Sequence, residues 1–277
     1  MCLAALDVRR SPNHRSELKS QLLMGEVVRV LSASRDRQWW RVENEGDGYR
    51  GWARNWGLIP ATRARAARWR ARASARVVRS SVEALSTPHG GVVVSPLFLN
   101  SRLIPLGART GFRRLELPDG RRAWVPGRAV AVGRSRGMDL MERVRSLMGV
   151  PYLWGGRTAT GFDCSGFTQQ VLVEQGIALP RDAWQQFRVS RPLGNGEDVR
   201  PGDLVFFGRR GEPVSHVGLA LGGGYFAHSR GRVRVNSINQ DNPLCDKEIL
   251  RQLVSVRRPR QGGPRGGAGT RGRPESA

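Results

Sequence analysis

At 277 residues the chain can hold two or three small domains, and its 39% hydrophobic content fits a globular protein. The formal net charge is +23, but seven arginines with no acid at 61–80 and six arginines with one glutamate at 257–277 supply roughly half of the excess. Lys19 and Lys247 are the only lysines, so the charge reads as a preference for arginine. With no RNA-binding aromatic motif, zinc-finger spacing or heptad array, no nucleic-acid partner is expected. Three widely spaced cysteines, Cys2, Cys164 and Cys245, form neither a disulfide framework nor a metal-binding spacing. No metal, cofactor or membrane insertion is expected, since no apolar run reaches spanning length. The N-terminus has no basic and apolar export signal, so the expected location is cytoplasmic as written, or periplasmic or extracellular if translation starts upstream. A monomer is favoured.

In chain order, residues 1–60 predict a small β-barrel. Gln21–Leu31 reads as a β-like run, Gln38–Val42 and Gly51–Ala53 as short strands, and Gly46-Asp47-Gly48 as the turn between them. Residues 61–75, rich in Ala and Arg, read as a helix or linker with a solvated face. Residues 76–132 read as a weaker copy of the first barrel. Phe112–Glu116, Asp119-Gly120 and Arg122–Val125 echo Trp40–Val42, Asp47-Gly48 and Arg50–Ala53. Trp39, Trp40, Trp52, Trp56 and Trp124 read as core and rim of these barrels and not as a sugar platform. Residues 137–258 open with a helical stretch, Asp139–Met148, pass through Gly155-Gly156-Arg157, and continue as a helix from Cys164 to Glu174 that Gly176 closes. Leu204–Phe207, Val214–Leu221 and Tyr225–His228 follow as strands, which makes this an α+β domain. The Gly/Arg/Pro-rich tail, 259–277, is expected to be disordered.

Cys164 falls at a predicted helix start, where free N–H groups and the helix dipole favour a thiolate. A lone cysteine in that position is either a buried structural thiol or a nucleophile. The histidines decide between them. The chain has four, and His216 and His228 fall in adjacent strands joined by Gly222-Gly223-Gly224. If Leu221 pairs with Tyr225, His228 lies opposite Gly218, and the two imidazoles are diagonal neighbours on one face. A thiol, a base and an orienting group are the parts of an activated nucleophile.

Six motifs then occur in order: Pro151–Gly156, Asp163–Phe167, Arg181-Asp182, Pro201–Phe207, Ser215–Gly218 and Ala227–Ser229. Together they resemble the NlpC family of papain-like cell-wall peptidases. The resemblance implies Cys164 as nucleophile, His216 as base and His228 as the orienting third residue, with backbone N–H groups at the helix start and nearby Tyr152 around the oxyanion. The N-terminal segments resemble bacterial SH3 domains. The run His14–Glu26 resembles the subgroup with two of them, dipeptidyl peptidases that cut between γ-D-glutamate and a diamino acid and require a free N-terminal L-alanine. In that subgroup the first SH3 domain walls off the cleft. Asp182, with Tyr152, Asp163 and Ser165, is then expected at the alanine end, and Glu17 and Tyr49 as the contribution of the first barrel. Ala183 departs from the serine often found after the aspartate.

The expected architecture is therefore two small SH3-like barrels before a papain-like α+β peptidase domain acting on peptidoglycan stem peptides or murein fragments. Three other readings stay open: a wall-cleaving endopeptidase on intact peptidoglycan, a thiol acyltransferase, and a non-catalytic wall-binding protein.

Overall fold

The computed structural model describes residues 1–133 and 138–260. Most of the tail expected to be disordered therefore lies outside the described residues. The chain opens with five antiparallel strands, β1 (Ala5–Arg9), β2 (Leu18–Leu23), β3 (Val28–Ala33), β4 (Trp39–Asn44) and β5 (Arg50–Arg54), in the order β2-β1-β5-β4-β3. Alternation carries the core: Leu6 and Val8 of β1, and Gly51 and Ala53 of β5, point inward while their neighbours are wetter. The run read as one strand, Gln21–Leu31, is two strands. It breaks at Gly25, whose φ of +88° is a left-handed conformation that glycine alone adopts at low cost.

Between the barrels, α1 (Arg63–Arg72) is capped by Thr62, whose hydroxyl accepts from the Arg65 N–H, and buries none of its residues. Trp69 ties it down by donating its indole N–H to the Gly25 carbonyl at 2.9 Å.

The second sheet comprises β6 (Ala75–Val77), β7 (Ser81–Thr87), β8 (Gly90–Phe98), β9 (Arg102–Arg109), β10 (Phe112–Glu116), β11 (Arg122–Pro126) and β12 (Val130–Val132), in the order β12-β6-β9-β10-β11-β7-β8. Its β10–β11 hairpin repeats β4–β5: Arg114 faces Trp124 as Arg41 faces Trp52, and a 3-10 turn follows each. The two barrels share one apolar cluster. Leu6, Met24, Val42 and Ala53 of the first pack with Val77, Leu103, Leu115 and Val125 of the second.

The third unit has α2 (Leu140–Leu147), β13 (Arg157–Thr158), β14 (Gly161–Phe162), α3 (Cys164–Val173), α4 (Ala183–Val189), β15 (Arg191–Pro192), β16 (Leu204–Phe207), β17 (His216–Gly222), β18 (Tyr225–Arg230), β19 (Arg232–Ser237), α5 (Lys247–Leu250) and β20 (Leu253–Arg258). Six of its strands form one sheet, β15-β20-β16-β17-β18-β19. Every residue of α3 from Cys164 to Leu172 is buried. Its Phe167 and Val171 pack with Val217, Leu219 and Ala227 of the sheet. Its other sides meet the barrels, where Gln169 donates to Asp47 at 3.1 Å and Asn100 donates to the Gln170 carbonyl at 2.9 Å. The helix ends at Val173 with Glu174 as its C-cap, and Gly176, expected to close it, follows in the turn at φ +77°. Near that end Glu174, with its side chain fully buried, holds Arg143 and Arg76, the latter at 2.7 Å, and so joins the second barrel to the third unit.

The β17–β18 hairpin turns through Gly223 and Gly224, both at positive φ, as a two-residue hairpin of the primed type requires. Its closing pair is Gly222–Tyr225 and not Leu221–Tyr225, because a bulge after Ala220 absorbs one residue. Leu219 then faces Ala227, and the same register brings Gly218 beside His228. A Cβ on Gly218 would stand 2.8 Å from the Phe226 ring and 3.3 Å from the His228 Cβ, so only glycine fits between these strands.

Candidate active site

Cys164 is the first residue of α3 and is 7% exposed. The turn before it is set by Asp163, the helix N-cap, whose Oδ1 accepts from the Gly166 N–H at 2.7 Å. The same carboxylate accepts from the Gly155 N–H at 2.9 Å and from both terminal nitrogens of Arg181, at 3.0 and 2.5 Å. Arg181 also reaches the Ser165 hydroxyl at 3.0 Å and, through Nε, the Ser20 hydroxyl of β2 at 3.0 Å. This buried pair keeps the Arg181 guanidinium charged against the cost of burial. Both Asp163 oxygens are thus taken by protein donors, which makes the residue a clamp on the helix start. Sequence reasoning gave Arg181 no role.

The helix start does not by itself lower the Cys164 pKa. Burial, seconded by the Asp163 charge, pushes the thiol up to about 12, although N–H groups of Val217 and Ser165 and the Arg181 charge pull the other way. Burial and the Asp163 charge thus oppose the dipole-stabilised thiolate expected at a helix start. Tyr152, half-buried beside the sulfur, has its phenol held protonated by burial and then by Cys164.

His216, at the start of β17, directs Nε2 to His228 Nδ1 at 2.8 Å. His228, wholly buried in β18, directs Nε2 to Asn236 Oδ1 at 2.8 Å. Burial lowers the His216 imidazole to about 3, helped by His228, Arg230 and Arg234, and lowers His228 to about 4. Both rings are neutral at physiological pH. Asn236 was missed from sequence because β19 was not read as a strand. Once it is, Arg234 faces His228, and Asn236, two residues on, shares that face.

The first barrel reaches the peptidase domain at Asp182. Tyr49 donates its hydroxyl to Asp182 Oδ1 at 3.0 Å, and Lys19 sits 5.3 Å above the Tyr49 ring. Asp182 caps α4, where Gln185 accepts from its backbone N–H at 3.0 Å. Burial raises the Asp182 pKa above the usual carboxylate value, while Arg181, Tyr49 and Lys19 hold it down. Glu17 lies at the rim and accepts from the Trp154 indole at 2.9 Å, a partner that the sequence reading did not single out. Gly155, next to Trp154, lets the Leu18 carbonyl approach so closely that a Cβ would lie 2.5 Å from it. Among the described residues, no group of three His, Cys, Asp or Glu side chains is arranged to hold a metal ion.

A buried thiol at the head of a central helix, packed on an antiparallel sheet that supplies a His–His–Asn chain, defines the papain-like class. Residues 149–254 match the NlpC/P60 family, and residues 8–56 match the bacterial dipeptidyl-peptidase SH3 domain. The chain thus carries an NlpC/P60 domain, with a bacterial dipeptidyl-peptidase SH3 domain ahead of it. It is 37% identical to a gamma-D-glutamyl-L-lysine dipeptidyl-peptidase of Bacillus subtilis over 134 residues, 46% of this chain and 44% of that one. It is 35% identical to a protein of the same name from Bacillus cereus over 139 residues, 47% of this chain and 41% of that one. The chain spans under half the length of these curated relatives. A crystal structure of an NlpC/P60 family protein from Bacillus cereus superposes with a TM-score of 0.79 at 21% identity, covering 93% of this chain and 98% of that one. At that identity the likeness speaks to fold.

Proposed function

We propose that the chain is a cysteine peptidase that hydrolyses the γ-D-glutamyl–diamino acid bond of peptidoglycan stem peptides with a free N-terminal L-alanine. What supports the reading is one juxtaposition: Cys164 lies against the backbone of Val217, next to His216 of the His216–His228 chain, and Asp182 is reached by Tyr49 of the first barrel at 3.0 Å. The names of the Bacillus relatives point to the same bond.

In this mechanism the Cys164 thiol attacks the glutamyl carbonyl carbon while His216 takes its proton, which suits a thiol and an imidazole that both rest neutral. Backbone N–H groups at the head of α3 face the oxyanion, with Tyr152 beside them. His216 then gives the proton to the leaving amine, a thioester forms at Cys164, and water activated by His216 hydrolyses it. His228 orients His216. Asp182, with Glu17 at the rim, pairs with the alanine ammonium, while Tyr49 steadies Asp182. Asp163 and Ser165 act here through their hold on Arg181 and the helix start.

Mass spectrometry of the products from L-Ala-γ-D-Glu-diaminopimelate tests the reading. Hydrolysis gives L-Ala-D-Glu and a free diamino acid. An acyl group carried to an added amine indicates a thiol acyltransferase, and no product at all indicates a wall-binding protein.

A further inference from the structure

The polar chain behind His216 does not end at His228, and its last member determines what the first can do. Asn236 Nδ2 donates to the Leu244 carbonyl at 2.7 Å. A carbonyl only accepts, so the amide is held with Oδ1 toward His228. That oxygen carries no proton, so the 2.8 Å contact requires the proton to be on His228 Nε2. A neutral imidazole has one N–H, which leaves His228 Nδ1 as a lone pair. His216 Nε2, at 2.8 Å, must then be the donor. His216 Nδ1 is left bare.

We propose that Asn236 is a positioning residue that sets the tautomer of both histidines, leaving His216 Nδ1 as the unprotonated nitrogen that accepts the Cys164 proton. The inference rests on the catalytic reading of Cys164 and His216 given above. An opposing group makes the selection necessary. Arg234 Nε lies 3.4 Å from the same His228 Nε2, and arginine only donates. Were Nε2 to accept from it, every proton in the chain would reverse, and His216 Nδ1–H could take no proton from a thiol. Asp246 holds Arg234 at 2.9 Å and Arg230 at 2.7 Å, so the competing donor is fixed in position. At 3.4 Å it is beyond a normal hydrogen bond, whereas Asn236 is within one. The low pKa of His228 is consistent with its neutral form.

The test is nitrogen-15 NMR of histidine-labelled full-length protein, which needs no substrate, together with turnover of the free tripeptide. Wild type should carry the His216 proton on Nε2 and none on Nδ1. In Asn236→Leu, Arg234 becomes the only polar partner of His228 Nε2. The His216 proton should move to Nδ1, and kcat should fall about ten- to a hundredfold with KM within about threefold. Adding Arg234→Leu removes the group that drives the wrong tautomer and should recover part of the lost kcat, an outcome that a purely structural role for Asn236 does not give. The proposal is overturned if wild-type His216 is protonated at Nδ1, or if Asn236→Leu leaves the tautomer unchanged. The wild-type spectrum decides the matter even if the variant fails to fold. Failure of the catalytic reading is seen separately, as turnover retained by Cys164→Ala.

Discussion

Tyr49 and Asp182 stand 133 positions apart in sequence, yet the Tyr49 hydroxyl donates to the Asp182 carboxylate at 3.0 Å across the boundary between the first barrel and the peptidase domain. The contact ties the barrel to the carboxylate proposed to hold the alanine end. Asp182 is ionised above its raised pKa and loses its charge as pH falls through it. Tyr49→Phe removes a hydrogen bond that favours the charged form, so the rise in KM at low pH should begin at a higher pH than in wild type. At neutral pH KM should rise about three- to tenfold with little change in kcat. An equal fall in kcat would mean that Tyr49 serves the chemical step.

Cys164→Ala should abolish hydrolysis with the fold intact by circular dichroism, while Cys2→Ala and Cys245→Ala should leave rates within about twofold. His216→Ala should lose on the order of a hundredfold or more, and more than His228→Ala, because only His216 moves the proton. Matching losses in the two histidine variants would reverse or merge their roles.

The thiol, held up to about 12 by burial, should react slowly with iodoacetamide in the free protein at neutral pH. The sign follows from the raised pKa: the reactive thiolate grows as pH rises toward that value. The alkylation rate of Cys164, read by peptide mass spectrometry, should climb steadily from pH 6 to 10. A rate already flat from pH 5 upward would instead report a preformed thiolate–imidazolium pair.

Glu174 pairs with both Arg143 and Arg76 at the contact between α3 and the second barrel. Glu174→Gln leaves Arg143, which is fully buried, without its counter-charge. Breaking a buried pair in this way costs about 3–5 kcal/mol, so the melting temperature should drop on the order of 10 °C. A change of under two degrees would show that water or a neighbour takes over the charge.

Much of the site was legible because it follows from local rules. A helix start placed Cys164, and strand alternation with a glycine turn made His216 and His228 diagonal neighbours. The assumed closing pair was off by one residue, and the bulge after Ala220 restored the register downstream. Asn236 was within reach of the same diagonal rule but lay on a strand that was not identified. Tyr49, Glu17 and Asp182 were named only through the family resemblance, since no periodicity links residues so far apart. The shared core of the two barrels was not visible, because alternation tells which face is buried and not against what. For a related reason the helix dipole at Cys164 is evident in sequence, but the burial that opposes it is not.

The most direct measurement compares kcat/KM for L-Ala-γ-D-Glu-diaminopimelate, its N-acetylated form and intact muramyl-linked stems, in wild type and Asp182→Asn. A carboxylate paired with the alanine ammonium is worth about 1.5–3 kcal/mol, so the free peptide should be preferred by at least about tenfold over the acetylated one. Asp182→Asn should lose that preference chiefly by slowing on the free peptide. Equal or faster cleavage of intact peptidoglycan by wild type would contradict the closed cleft and identify a wall-cleaving endopeptidase.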